Sequence, residues 1–167
     1  DDAMERDLAG KTALVTGASK GLGVDIAERL AAAGALVAVN YASDKVAAEG
    51  TVARIVASGG AAFAVQAKLG GAAEAAKLAD ATCAEFARRT GSDGLDILVN
   101  NIGGGDYASI VQVTEASFDQ VIANNVRGAF FLTQAFHPKL CDFGRVINLS
   151  SVGARLTDPN IIVYTMA

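Results

Sequence analysis

The sequence predicts an α/β fold, a doubly wound parallel sheet with strand order 3-2-1-4-5, and three observations carry that expectation. Apolar runs of strand length alternate with helical patterns through short connections, which favours a parallel sheet covered on both faces. The first run, Thr12-Ala13-Leu14-Val15, enters the glycine turn Thr16-Gly17-Ala18-Ser19-Lys20-Gly21-Leu22-Gly23. A helical pattern follows from Val24 to Ala33, with Ile26, Ala27, Leu30 and Ala31 on one face. Strand, glycine turn and helix together aim a helix N-terminus, with its free N–H groups, at an anion.

The remaining elements follow in order. Gly34 stops the first helix, and a second strand is expected at 36–40. A helix is expected over 45–58, with Val46, Val52, Ile55 and Val56 as an incomplete apolar face, ended by Gly59-Gly60. A third strand is expected at 62–67 and an alanine-rich helix at 72–89. The run Leu95 to Asn100 is almost wholly apolar, as a central parallel strand should be. A long helix is expected over 117–136, N-capped by Thr114 or Ser117, and a fifth strand over 145–150. No repeat or linker interrupts the pattern, so residues 1–167 are read as one Rossmann-type domain with its ligand crevice between strands one and four.

Composition narrows the function. The net charge of −4, without a Lys/Arg cluster, argues against nucleic acid and anionic membranes as partners. No stretch approaches the roughly 20 apolar residues of a membrane span. The acidic opening, Asp1 to Asp7, lacks the apolar core of a signal peptide, and Met4 is read as a natural start. Cys83 and Cys141 stand apart, which fits reduced thiols in a cytoplasmic protein. No metal site is expected, and the single histidine, His137 before Pro138, is read as a helix-end residue.

The glycine turn offers Gly17, Ser19, Lys20, Gly21, Leu22 and Gly23 as candidate dinucleotide contacts, because glycine lets backbone approach a pyrophosphate. An ordinary strand-to-helix turn in a chain with 18 glycines is the other reading. At the end of the second strand, Asn40-Tyr41-Ala42-Ser43 presents no acid to meet ribose hydroxyls or repel a 2′-phosphate. Lys20 could pair with that phosphate, so NADP(H) is expected over NAD(H); the alternative is a solvated surface lysine. Asn101 and Gly103, after the fourth strand, either border the cofactor or simply form a turn. Gly103-Gly104-Gly105 makes the following loop permissive. Asn125 is a poor residue for a helix interior and could perturb the helix and hold a water. Ser151 at a strand end and Tyr164 opening a helix could face one site.

Taken together, Thr16 to Gly23, Asn100-Asn101-Ile102-Gly103, Asn125, Ser151 and Tyr164 resemble the short-chain dehydrogenase/reductase family, especially bacterial 3-oxoacyl-[acyl-carrier-protein] reductases. The resemblance runs from about Lys11 to Ala167. It implies a tyrosine general acid/base at Tyr164, a substrate-orienting hydroxyl at Ser151, and an asparagine supporting a proton-relay water at Asn125. A phenol has a pKa near ~10, so as a base it needs a neighbouring positive charge. The family supplies a lysine four residues after the tyrosine, one helical turn away. That position would directly follow Ala167, and the family's sixth and seventh strands are also missing. The expectation is therefore a fragment, or part of a longer protein, inactive on its own. Lys68 stands where relatives commonly bind adenine through Asp or Asn, which leaves that contact to the backbone of Leu69. Ile102 replaces the usual alanine and either crowds the ribose or fills the core.

The function expected is an NADP(H)-dependent oxidoreductase interconverting a ketone or β-ketoacyl carbonyl and a secondary alcohol. The alternative is a dinucleotide-binding module without turnover. A nucleoside-cofactor methyltransferase shares the strand-turn-helix opening but gives no reason for Asn125, Ser151 and Tyr164. The resemblance implies a homo-tetramer or dimer for the complete protein. The partner is a small-molecule carbonyl or alcohol whose identity the sequence does not specify.

Overall fold

The computed structural model describes residues 7–105, 107–156 and 158–167, and the opening segment 1–6, with the reading of Met4, lies outside them. Five strands form one parallel sheet: β1 (Thr12–Val15), β2 (Leu36–Tyr41), β3 (Ala61–Gln66), β4 (Leu95–Asn100) and β5 (Leu140–Asn148). Their order is β3-β2-β1-β4-β5, as the sequence predicts, and the order reverses between β1 and β4. Alternate side chains of the strands feed two cores. Ala13, Val15, Val37, Val39 and Val99 face α1 (Leu22–Ala32) and α2 (Lys45–Ala57). Leu14, Ala38 and Leu98 face α3 (Ala72–Thr90) and α5 (Gly128–Phe136). Strands buried on both faces must be apolar throughout, which is why these runs read so clearly.

Several expected elements change. In α2 the buried face is Ala48, Thr51 and Ile55, while Val46 is 81% and Val56 56% exposed. Spacings of three and four residues from Ile55 lead to Thr51 and Ala48, and leave the two valines around the helix on the solvent side. The strand β3 lies one residue earlier than expected. The long helix is not continuous: α4 (Glu115–Ile122) and α5 are separated by a π turn at Ala123–Arg127. Thr114 and Ser117 both cap α4, each side chain accepting from the other's backbone N–H at 3.1 Å. His137 opens a short 3₁₀ turn, His137–Lys139, at the end of α5.

The fifth strand departs most. It begins at Leu140, and the pairing with β4 jumps from Leu140 opposite Leu95 to Arg145 opposite Ile97. The extra residues bulge outward, and Phe143 sits there at φ 61, 92% exposed. The strand ends at Asn148, so Ser150 and Ser151 lie in the following loop. Ser151 caps a 3₁₀ turn, Val152–Arg155, ahead of α6 (Ile162–Met166). Among the described residues no helix is long and apolar enough to cross a membrane.

At the opposite end of the sheet from these loops, Asp96 ties β4 to β1. It accepts from Thr12 N at 2.9 Å, from Thr12 Oγ1 at 3.2 Å and from Lys11 Nζ at 2.9 Å. Partial burial pushes its carboxyl upward, but the bonds from Lys11 and Thr12 outweigh burial and hold it below 3.8. A lowered folded-state value means that the stabilisation is fully present above the ordinary carboxylate range and is lost as pH falls from that range through the lowered value. Asp96→Ala should destabilise by about 1–3 kcal/mol, since Thr12 N loses its acceptor while Thr12 Oγ1 keeps Gly94 O at 2.8 Å. Asp96→Asn should flatten the acid limb of a melting-temperature profile, read by circular dichroism, from roughly pH 5 downward. At the bulge, a left-handed conformation costs a non-glycine residue about 1–2 kcal/mol. Phe143→Gly relieves that strain against about 0.5–1 kcal/mol of added chain freedom in the unfolded state, and should raise the melting temperature by about 1–4 °C.

Candidate active site

The predicted site residues lie at or after the carboxyl ends of strands, or on the elements that follow and cover those ends. Thr16, directly after β1, is 1% exposed and holds this edge together. Its Oγ1 accepts from Asn101 N at 2.9 Å and Ile102 N at 3.1 Å. Asn101 Nδ2 returns to Thr16 O at 2.8 Å and Gly17 O at 3.3 Å. The ends of β1 and β4 are thus locked where the sheet order reverses.

Asn40 fastens the glycine turn from below. It has no exposed surface, its Oδ1 accepts from Gly17 N at 3.2 Å, and its Nδ2 donates to Val65 O and Ala67 O at 3.3 and 3.2 Å. Its own carbonyl accepts from Ala18 N at 2.8 Å. Tyr41 is also buried, at 6% exposed. Of the two residues expected to face a cofactor, Asn40 therefore has its side chain beneath the turn and Tyr41 packs in the core facing α1 and α2, because successive strand residues alternate between the two faces of the sheet. Ala42 and Ser43, past the strand end, are the exposed ones.

Glycine is required in the turn for two reasons. Gly17 and Gly21 have φ 63 and 58. A Cβ on Gly23 would stand 2.6 Å from Asn101 Nδ2 and 2.7 Å from Gly17 O. Gly21 precedes α1 with no side-chain cap; Val24 N donates to Gly21 O at 3.0 Å, and the N–H groups of Leu22 and Gly23 are left to face outward. Above them lies a cleft of about 510 Å³ lined by Gly17, Ser19, Lys20, Gly21, Ala42, Ser43, Asp44, Asn101, Ile102 and Gly103. Leu22 is 59% exposed and lines a different groove between α1 and α2, of about 830 Å³. That larger groove is crossed by the Arg54–Glu28 ion pair at 2.7 Å and holds none of the other predicted residues. Leu69, 5% exposed, packs in the α3 and α5 core, so its side chain is turned away from solvent.

A second cleft, about 490 Å³, adjoins the first through Asn101, Ile102 and Gly103. It brings together Asn125, Ser151 and Tyr164 from α4–α5, the loop after β5, and α6. Ser151 Oγ accepts from Gly153 N at 3.1 Å. Asn125 sits in the π turn, where its Nδ2 donates to Val121 O at 2.8 Å and Gly104 O at 2.7 Å. Its Oδ1 accepts from Gly104 N at 3.0 Å. The perturbation expected of an asparagine in a helix is thus a widened turn whose side chain bonds back to the helix and out to the glycine loop. Ile102 lines both clefts and packs on the core below, its Cγ1 3.0 Å from where a Gly17 Cβ would be.

The roles of three residues, Asn148, Gly105 and Gly153, escaped the sequence reading. Asn100 Nδ2 donates to Asn148 Oδ1 at 2.8 Å and Thr133 Oγ1 at 3.3 Å, while its own Oδ1 is buried with no partner among the described residues, in the lining of the second cleft. Asn148, a polar residue closing an apolar strand, was the available signal. Gly105 and Gly153 flank Tyr164, and only the glycine run itself hinted at the first.

Comparison with known proteins agrees with this fold. The family model for short chain dehydrogenases matches residues 11–167. An uncharacterised oxidoreductase of Methylorubrum extorquens is 44% identical over 158 residues, covering 95% of this chain and 61% of that protein. A 3-oxoacyl-[acyl-carrier-protein] reductase of Synechocystis is 38% identical over 162 residues, covering 96% and 63%. The crystal structure of the angucycline C-6 ketoreductase LanV with bound NADP superposes with a TM-score of 0.93 at 43% identity, over 96% of this chain and 62% of that one. The chain thus spans less than two thirds of these relatives, and over that span it belongs to the short chain dehydrogenase family.

Proposed function

We propose that the protein is an NADP(H)-dependent oxidoreductase that interconverts a carbonyl, a β-ketoacyl thioester first among them, and a secondary alcohol. One observation carries the reading. Asn125, Ser151 and Tyr164, far apart in sequence, line one cleft that shares Asn101 to Gly103 with the cleft over the glycine turn. The solved ketoreductase with bound NADP and the 3-oxoacyl reductase relative support the cofactor and the substrate class.

The residues present fit a dinucleotide. Gly21 has nothing within 4 Å of its missing Cβ, and the uncapped turn of α1 offers backbone donors to a pyrophosphate. Lys20 and Ser43 border the same cleft, where an ammonium and a hydroxyl would hold a 2′-phosphate. When bound, the reduced nicotinamide supplies hydride to the carbonyl carbon. Tyr164 Oη gives its proton to the carbonyl oxygen in reduction and takes it back in oxidation. Ser151 Oγ already accepts a bond from Gly153 N, so its own proton is free for the substrate oxygen. Both amide hydrogens of Asn125 are engaged, which leaves a lone pair on Oδ1 to hold a relay water. The proposal extends to a single dinucleotide-binding domain over this span, a cytoplasmic location and a homo-oligomer in the complete protein.

Steady-state kinetics on the full-length protein test the reading. Tyr164→Phe should lower kcat by about 10²–10⁴-fold with little change in the KM for NADPH. Cofactor binding without turnover of any carbonyl would favour a binding module instead. Lys20→Ala should weaken NADPH binding about tenfold and leave NADH nearly unchanged, read by fluorescence titration. Preference of the unaltered protein for NADH would overturn the assignment of Lys20.

A further inference from the structure

We propose that Gly105 is a positioning residue that seats Tyr164, and that Asn125 holds this seat in place through Gly104. The inference rests on the functional reading of Tyr164 above. A Cβ on Gly105 would stand 2.7 Å from Tyr164 Cβ, 2.8 Å from its Cγ and 3.2 Å from its Cδ2. Carbon atoms in contact sit about 3.5–4.0 Å apart, so no other residue fits without moving the ring. On its other side, Gly153 would bring a Cβ to 3.2 Å from Tyr164 Cε1 and 3.3 Å from both Cδ1 and Ser151 Oγ. The phenol ring is therefore held between two stretches of backbone without side chains.

Conformation does not explain the glycine at 105, whose φ lies outside the left-handed region. Its requirement is steric, and it is specific to one neighbour. Gly104, the adjacent residue, also lacks a left-handed φ and has nothing within 4 Å of its missing Cβ. What Gly104 contributes is its peptide: Asn125 receives its N–H at 3.0 Å and donates to its carbonyl at 2.7 Å. This two-point clamp starts from the π turn and ends one residue before the seat. Asn125 thereby acts on Tyr164 mechanically, through backbone, in addition to any water it holds.

The pair Gly104→Ala and Gly105→Ala tests this directly, since both change the same loop in the same way. In the full-length protein, ¹³Cζ-tyrosine labelling gives one NMR signal per tyrosine, with Tyr164→Phe and Tyr41→Phe identifying the two of interest. Gly105→Ala should displace the Tyr164 signal, Gly104→Ala should leave it in place, and buried Tyr41 should report an intact fold in both. Gly153→Ala should move the same signal from the other side, by less. In the full-length protein, Gly105→Ala should cut kcat about 10²-fold, the scale of a displacement near 1 Å, with KM for NADPH unchanged. Equal displacement by both alanines, or displacement by neither, would overturn the seat, as would an unmoved signal in Gly153→Ala. If Gly105→Ala does not fold, Gly153→Ala decides. Turnover surviving in Tyr164→Phe would defeat the functional reading and leave the NMR result standing.

Discussion

The hydroxyl of Thr16 and the carboxamide of Asn40 are the buried polar groups on which the rest of the site depends. Thr16 joins the end of β1 to the first two peptides after β4, and Asn40 joins the glycine turn to the end of β3. Both lie at buried strand ends, where a donor or acceptor left without a partner costs about 1–3 kcal/mol. Every bond these residues make goes to backbone or to Asn101, so the strand ends have one low-energy arrangement. The uncapped first turn of α1 then points into open space above that edge, and the two clefts meet over Asn101 and Ile102.

The same device recurs one layer out. Asn125 and Ser151 both engage backbone, and in doing so hold the loops that frame the second cleft. Glycine has a complementary role: at 23, 105 and 153 it lets one segment approach another closer than a side chain permits. The site is thus shaped largely by carboxamides that grip peptides and by glycines that leave room. Chemically active hydroxyls are few, and each stands on a segment fixed in this way.

Much of this was legible in the sequence because its strongest signals are local. Doubly buried strands must be apolar, so β1, β2 and β4 were read to within a residue, and the alternation with helices implied the sheet order. The glycine turn and the spacing of Asn125, Ser151 and Tyr164 pointed to elements that the fold brings to one place. What escaped depends on contacts between distant segments. The inward direction of Asn40 and Tyr41 follows from what lies under β2, which no local pattern encodes. The burial of Thr51 in preference to Val46 and Val56 is a matter of helix phase against the sheet. The bulge at Phe143 arises from register with β4 and overrides residue preference, and the steric need at Gly105 exists only because α6 lies against it.

A crystal structure with NADP⁺ bound, obtained on the complete protein, tests the central claim that two adjoining clefts form one dinucleotide and substrate site. The result expected is a pyrophosphate at the first turn of α1, the 2′-phosphate beside Lys20 and Ser43, and the nicotinamide end beside Tyr164 and Ser151. A nicotinamide lying outside the cleft of Asn125, Ser151 and Tyr164, or a dinucleotide in the groove between α1 and α2, would contradict it.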